Sequence, residues 1–175
     1  IEVNGVVYEG LVYQNDSLVS EDGKLVIVKG KLVIEDIIGA YSFTALSLAS
    51  GSKVSGSMVL ELSDKPEYGN VMFTTIFDTP CTLGNIYGVF DATAGKVTFD
   101  TPQYYYVGSK TYGLTKGSAT TGAAVAAPIV FDANVGELTH NESNYCIIDG
   151  VYTAPGSYAG AYEYYYGLTA TRVGQ

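Results

Sequence analysis

The alternation of apolar and polar residues along much of the chain predicts β-strands. Tyr41, Phe43 and Ala45 would lie on one face of an extended segment, and Ser42 and Thr44 on the other. Successive strand residues point to opposite faces, so this segment has the pattern of a strand with one buried face.

The alternation changes phase after residue 45. Leu46 and Leu48 occupy the side that was polar until then. One extra residue in a strand produces such a change, and bulges of this kind are typical of barrels and curved sheets. We therefore predict a β-bulge or a sharp bend directly after residue 45.

An internal repeat in the second half of the chain predicts two antiparallel hairpins. The segment Val89–Thr98 recurs as Val130–Thr139. Each copy is predicted as a strand, a tight turn that begins with an Asp (Asp91 and Asp132) and ends with a Gly, and a returning strand. The two hairpins are predicted to occupy about 86–107 and 129–149.

The first 36 residues are predicted to form a strand layer of their own. Asp22-Gly23, between two apolar stretches, is typical of a two-residue hairpin turn. The pattern of residues 23–27 recurs at 30–34, and both copies are apolar at successive positions, which indicates strands covered on both faces. Residues 37–175 would form the main barrel, and the whole chain 1–175 a single all-β domain.

The last part of the chain supplies the best candidate for a closing strand. After a Gly, Ala, Ser and Thr tract at 117–128, predicted as a loop or short helical turn, a long alternating segment begins. One of its faces carries Tyr158, Tyr162, Tyr164, Tyr166 and Leu168. With about ten to thirteen short strands in all, the chain is predicted to form an antiparallel meander β-barrel, with a two-sheet β-sandwich as the alternative.

Composition and charge restrict the classes of partner. The 16 Tyr and 21 Gly stand against one His and no Trp, which favours strands and turns over helices. A net charge of -9 disfavours nucleic acid and anionic membrane surfaces. No apolar run approaches the length of a transmembrane helix, and without a leader before Ile1 we expect any signal peptide to have been removed. The composition indicates a secreted or cell-envelope protein.

No catalytic or metal-binding motif is formed by the cysteines, the histidine or the turn carboxylates in the sequence. Cys81 and Cys146 are compatible with one disulfide or with two buried thiols. His140 has no second His or Cys nearby in the sequence and is predicted to be a surface residue. Asp91 and Asp132 would lie at one end of the fold if the hairpins point the same way, where they would accept turn hydrogen bonds or, alternatively, bind a cation. No catalytic residue, metal ligand or cofactor is predicted.

The tyrosines are the candidate binding residues. Tyrosine exceeds phenylalanine by 16 to 6, and a buried phenol needs a hydrogen-bond partner, so several rings should reach water. Such rings form a platform for sugar rings or small apolar molecules, although cross-strand packing alone also explains aromatic faces. The predicted ligand-binding residues are Tyr104, Tyr106, Tyr158, Tyr162, Tyr164 and Tyr166.

Four segments carry a resemblance to a known group of proteins: residues 38–43, 69–73, 87–91 and 95–99. In strand order and turn spacing they resemble the lipocalin-like or calycin-like β-barrel modules of gut-bacterial surface lipoproteins. The resemblance covers residues 37–173, without the G-x-W element of true lipocalins. It implies capture or presentation of a small ligand or glycan at the cell surface, and a lipid anchor upstream of Ile1.

Three functional hypotheses follow from the sequence. The first is a non-enzymatic secreted or cell-surface module that binds a glycan or a small apolar ligand through a Tyr-rich face or the barrel mouth. The second is a structural or adhesive module that acts through edge strands or an apolar patch. The third is a hydrolase that uses a carboxylate pair such as Asp91 and Asp132.

Overall fold

A computed structural model of the chain describes residues 32–82 and 84–174, together with the backbone of five short strands before residue 32. The chain divides into two compact units, Ile1–Lys31 and Leu32–Gln175, which are described separately below. No helix within the described residues is long and apolar enough to cross a membrane.

The first unit contains two small antiparallel sheets in its described part. One sheet pairs β1 (Glu2–Val3) with β2 (Val6–Val7), and the other contains β3 (Leu11–Gln14), β4 (Ser17–Ser20) and β5 (Val26–Val28). The predicted strand pair around Asp22-Gly23 is confirmed, because β4 and β5 pair with Val19 opposite Val26. The Asp-Gly turn itself lies outside the described residues.

The strand predicted at 30–34 is wrong in its described part. Ile34–Asp36 forms one turn of 3-10 helix. The Asp36 carboxylate accepts a hydrogen bond from the Val33 N–H at 2.9 Å, and the Ile37 N–H donates to the Ile34 carbonyl at 3.1 Å. Because these backbone N–H groups and the carboxylate are hydrogen-bonded locally, the segment needs no neighbouring strand to pair with. Residues 30 and 31 lie outside the described residues.

The second unit consists almost entirely of strands in its described part. They are β6 (Gly39–Ser47), β7 (Lys53–Leu62), β8 (Val71–Ile76), β9 (Thr79–Pro80), β10 (Ile86–Asp91), β11 (Lys96–Phe99), β12 (Gln103–Val107), β13 (Lys110–Ser118), β14 (Ile129–Asn134), β15 (Glu137–His140), β16 (Tyr145–Ala154) and β17 (Ser157–Arg172).

Eight of the strands described in this unit close into an antiparallel barrel. Their order is β17-β15-β14-β11-β10-β8-β7-β6, and β6 pairs again with β17. The predicted all-β barrel is thus confirmed in preference to a sandwich, and its architecture is compatible with a lipocalin-like fold. Strands β16, β13 and β12 continue the sheet outward from β17, while β9 pairs with β8.

The length of β17 explains both the closure and the extra sheet. This strand has 16 residues. Its second half pairs with β15 through Leu168–Thr171 and with β6 along the other edge, which closes the barrel. Its first half pairs with β16 instead, starting at Ser157. The predicted closing strand is therefore confirmed, and it also connects the barrel to a four-stranded outer sheet.

The bulge or bend predicted directly after residue 45 is wrong, because β6 is regular there and the extra residue lies on the neighbouring strand β17. Strand β6 keeps its phase through Ser47, which is buried, while Leu46 is 39% exposed. Tyr166 pairs with Leu46 and Thr169 with Thr44, so β17 has one residue more than β6 at this place. The inward position of Ser47 is tolerated because its hydroxyl donates to the Glu163 carboxylate at 2.8 Å.

The bulge also corrects the predicted face of the closing strand. Tyr165 and Leu168 are both buried, so Leu168 lies on the side of Tyr165 and not on that of Tyr164 and Tyr166. Gly167 supplies the extra residue, with φ of 58°. Glycine adopts this left-handed conformation without the steric cost that a Cβ would bring.

Replacing Gly167 with alanine should lower the free energy of unfolding by about 1–2 kcal/mol. A Cβ at this position would meet no atom within 4 Å, so the cost would come from backbone strain alone. Urea denaturation measures the change, with Thr169→Ala, at an exposed position of the same strand, as control. Equal stability of the two variants would contradict the prediction.

Both repeat copies are hairpins, as predicted, with different turns. Strand β10 pairs with β11 and β14 with β15. In the first copy the Asp91 carboxylate accepts hydrogen bonds from the N–H groups of Thr93 and Ala94, at 2.8 and 3.0 Å. In the second copy Asn134 still pairs with Glu137, so the prediction that Asp132 begins the turn is wrong: it lies within the strand.

The barrel interior is filled by aromatic rings. Phe73, Phe99 and Phe131 are each at most 1% exposed. The Phe73 and Phe99 rings stack with centroids 4.8 Å apart, and Phe131 meets Phe99 edge-on at 5.9 Å. Because these rings occupy the interior, a ligand would have to bind on the outer surface of the barrel or of the sheet.

Candidate functional site

The outer face of the four-stranded sheet carries a cluster of three tyrosine rings. Tyr104 lies on β12, Tyr152 on β16 and Tyr158 on β17, where Tyr152 and Tyr158 are direct cross-strand partners. The Tyr152 ring is 5.0 Å from that of Tyr104 and 5.4 Å from that of Tyr158, both at steep angles. These edge-to-face contacts fix the relative orientation of the rings.

Two glycines make room for the central ring. A Cβ added at Gly113 would come within 2.5 Å of the Tyr152 ring, and one at Gly150 within 2.9 Å. The ring therefore lies close against the sheet surface above both positions. A side chain at either place would push it away from the sheet and disturb the cluster.

A loop forms the opposite wall of a groove over this cluster. The residues after β13 turn back on themselves: the Ser118 N–H donates to the Ala123 carbonyl at 2.8 Å, and the Val125 N–H to the Lys116 carbonyl at 2.9 Å. The Thr101 hydroxyl donates to the Ala127 carbonyl at 2.8 Å, which connects this loop to the start of β12. We call the resulting space of about 630 Å³, lined by the three tyrosines, Tyr164, Ile148 and residues 122–126, the tyrosine groove.

Every described residue that lines the tyrosine groove is uncharged. Its hydroxyl groups are also engaged within the protein. Tyr104 Oη accepts a hydrogen bond from the Gly156 N–H at 2.9 Å, and the Tyr152 and Thr115 hydroxyls are 3.3 Å apart. Burial, followed by a hydrogen bond with Tyr164, raises the pKa of Tyr158 to about 12. The groove thus offers mainly apolar surface, at a volume within the range of small-molecule sites.

The structure brings three of the six predicted tyrosines together. Tyr104, Tyr158 and Tyr164 line the tyrosine groove. Tyr162 is 70% exposed and meets Tyr112 edge-on at 6.4 Å. The remaining two do not line it either: Tyr166 borders a separate depression beside Leu46, and Tyr106 lies next to Gly84.

Sequence reasoning missed Tyr152 and the loop at 122–126. The segment 147–152 carries apolar residues on both of its faces and a charged Asp149 between them, so its pattern does not show which side chains point outward. One available signal was the pair Gly150 and Tyr152, which share a face, with a glycine leaving room for a neighbouring ring.

The inner face of the same sheet holds a buried carboxylate. Asp149 is 2% exposed, and its Oδ1 accepts a hydrogen bond from the Tyr105 hydroxyl at 2.8 Å. Burial raises the pKa of Asp149 to about 6, against the lowering effect of Tyr105, and the charge of Glu163 adds to the rise. Burial and the nearby Asp149 raise the pKa of the Cys81 thiol to about 12, so Cys81 is protonated at neutral pH. Cys81 and Cys146 are both free and buried.

His140 is buried, which makes the prediction of a surface residue wrong. It is fully buried and stands in the repeat at the position of Phe99, which is buried as well. The Glu142 carboxylate is 3.3 Å from His140 Nε2 and 2.5 Å from the Lys116 ammonium. Burial and the charge of Lys116 lower the pKa of His140, while Glu142 raises it. The repeat equivalence was the signal for its burial.

The two repeat aspartates lie on the exposed surface. In the strand register, Lys96 of β11 lies opposite Asp91 of β10 on one side and opposite Asp132 of β14 on the other. The three side chains therefore form one row across the sheet. The Lys96 ammonium contacts the Asp132 carboxylate at 2.6 Å. Among the described residues, no group of three or more His, Cys, Asp and Glu side chains is arranged to hold a metal ion.

The comparisons with known proteins add no relative. No protein-family model, no curated protein and no solved structure matches this chain. Of the features described, the tyrosine groove has the geometry of a binding site.

Proposed function

We propose that this protein is a non-enzymatic binding module that holds a small, uncharged and mainly apolar ring-shaped ligand in the tyrosine groove. The observation that carries the proposal is the cluster of Tyr104, Tyr152 and Tyr158 in a groove of about 630 Å³ whose described lining residues are all uncharged. Aromatic rings held in fixed positions give a ligand contact area at little cost in side-chain entropy.

The engaged hydroxyls favour an apolar ligand over a glycan in this groove. A sugar presents many hydroxyl groups, and each loses hydrogen bonds to water when the sugar binds. The Tyr104 and Tyr152 hydroxyls already have partners within the protein, and in the part of the chain that the structure describes no amide, carboxylate or cationic side chain lines the groove. An apolar ring carries no such requirement and gains from burial.

Export to the cell envelope forms part of the proposal. It is supported by the Tyr- and Gly-rich, acidic composition and by the resemblance of residues 37–173 to barrel modules of gut-bacterial surface lipoproteins. A ligand would bind on the outer sheet, since Phe73, Phe99 and Phe131 fill the barrel interior. Capture of small apolar molecules at a cell surface is the role that combines these features.

Replacing Tyr152 with alanine should weaken binding of the neutral fluorophore N-phenyl-1-naphthylamine by about tenfold or more, since the central ring contacts both of the others. Fluorescence titration measures the dissociation constant. Tyr162→Ala, which removes an exposed ring outside the groove, is the matched control and should bind like the unchanged protein.

Two results would contradict the proposal. The first is undiminished fluorophore binding by both Tyr152→Ala and Tyr158→Ala, with circular dichroism showing that each variant is folded. The second is that the unchanged protein does not bind the fluorophore but does bind a neutral oligosaccharide in the tyrosine groove. The ligand would then be a polar glycan and not an apolar ring.

A further inference from the structure

A second groove lies on the outer surface of the barrel, and its chemistry differs from that of the tyrosine groove. It has a volume of about 390 Å³, and its lining includes Tyr68, Tyr87, Thr98, Asp100 and the backbone of Gly88. Tyr87 points outward from β10, while Tyr68 belongs to the turn between β7 and β8. We call this space the Tyr68–Tyr87 groove.

Tyr87 is held in place at its backbone and at its hydroxyl. The Gln103 side chain accepts a hydrogen bond from the Tyr87 N–H at 2.8 Å and donates one to the Tyr87 carbonyl at 2.7 Å. The Tyr87 hydroxyl donates to the Asp64 carboxylate at 2.9 Å. These contacts fix the ring before any ligand arrives, which reduces the entropy lost on binding.

Tyr68 presents a large aromatic surface to solvent beside this fixed ring. It is 62% exposed, and its ring centroid is 5.5 Å from that of Tyr87 at an angle of 53°. The two rings therefore form an open angle and do not cover each other. The Lys65 ammonium is 5.9 Å from the Tyr68 centroid and 6.0 Å from that of Tyr87.

The groove combines aromatic surface with hydrogen-bonding groups of both kinds. Within the lining, the Asp100 carboxylate accepts hydrogen bonds, and the Thr98 hydroxyl both donates and accepts them. A pyranose ring needs this combination, because its C–H groups pack on an aromatic face while its hydroxyls donate and accept hydrogen bonds. An organic cation fits less well, since Lys65 already brings a positive charge near both rings.

We propose that the Tyr68–Tyr87 groove is a saccharide-binding site, separate from the tyrosine groove. A pyranose ring packs on Tyr68 and Tyr87, and its hydroxyls bind Asp100 and Thr98. The two sites have different ligands because one offers a carboxylate and the exposed ring of Tyr68, whereas the described lining of the other is uncharged and its hydroxyls have partners within the protein. Neither site depends on the other.

The test is a titration of the full chain with the methyl glycosides of glucose, galactose, mannose and N-acetylglucosamine, followed by NMR. Binding of a single sugar ring is expected at millimolar concentrations, with shift changes at the amides of Tyr87, Val89 and Thr98. Tyr68→Ala should weaken the binding by about tenfold, and Asp100→Asn should also weaken it. The control Tyr162→Ala should have no effect.

The results for the Tyr68–Tyr87 groove can be distinguished from those for the tyrosine groove. If Tyr68→Ala loses the glycoside but still binds N-phenyl-1-naphthylamine, both sites are supported as independent. If no glycoside binds, if Tyr68→Ala binds glycosides unchanged, or if tetramethylammonium chloride shifts the same amides in their place, the saccharide site is overturned. Fluorophore binding in the tyrosine groove is decided separately by Tyr152→Ala.

Discussion

Replacing Phe99 with alanine is expected to lower the free energy of unfolding by about 3–5 kcal/mol. Phe99 is fully buried, stacks on Phe73 at 4.8 Å and meets Phe131 edge-on at 5.9 Å. Its ring also occupies the space beside Gly88, where an added Cβ would come within 2.6 Å of it. Removal of the ring would leave a cavity bordered by backbone and by two other rings, which have little freedom to fill it.

Urea denaturation followed by near-ultraviolet circular dichroism measures this change. Tyr162→Ala is the matched control, since it removes an aromatic ring that is 70% exposed and should change stability by at most about 0.5 kcal/mol. If Phe99→Ala were no less stable than the control, the packed aromatic interior described for the barrel would be wrong.

Replacing Asp149 with asparagine is expected to change how stability depends on pH, by about 3 kcal/mol across the acidic range. The pKa of Asp149 is about 6 in the folded protein against 3.8 for an ordinary aspartate. A raised pKa means that the folded state binds the proton more tightly than the unfolded state. The contribution of this carboxyl to stability is therefore greatest below pH 4 and falls as the pH rises from about 4 to about 6.

The asparagine variant should lack this decrease. Its amide oxygen can still accept the hydrogen bond from Tyr105, and it carries no charge to desolvate. The informative quantity is the free energy of unfolding of Asp149→Asn minus that of the unchanged protein, measured between pH 4 and pH 7, because the other carboxyl groups cancel in the difference. We expect this difference to rise with pH, and a difference independent of pH would refute the buried, raised-pKa carboxyl.

The sequence predicted the strands where one face alone is buried. The alternation of Tyr41, Phe43 and Ala45 reappears as the inward face of β6, and the repeat predicted both hairpins. These features depend on residues close together in the chain, since strand period and turn chemistry are local properties. The bulge predicted after residue 45 is wrong, since β6 is regular there and the extra residue is Gly167 of the paired strand.

The candidate site could be predicted only in part for the same reason. Tyr104, Tyr158 and Tyr164 were among the predicted ligand-binding residues, and alternation placed Tyr158 and Tyr164 on one strand face. Alternation does not show which faces meet. Tyr152 lies in a segment with apolar residues on both faces, and the loop at 122–126 has no periodic pattern. Neither segment by itself therefore predicts the groove that the two form together.

The sequence by itself determined the all-β character, the order of the hairpins and the presence of a long closing strand, since each follows from residue type and spacing within one segment. The tertiary structure alone decided that the sheet closes as a barrel through β17 and β6, that Asp149 is buried, and that three distant tyrosines share one groove. These features depend on pairing and packing between segments far apart in the chain, and local propensity contains no information about such contacts.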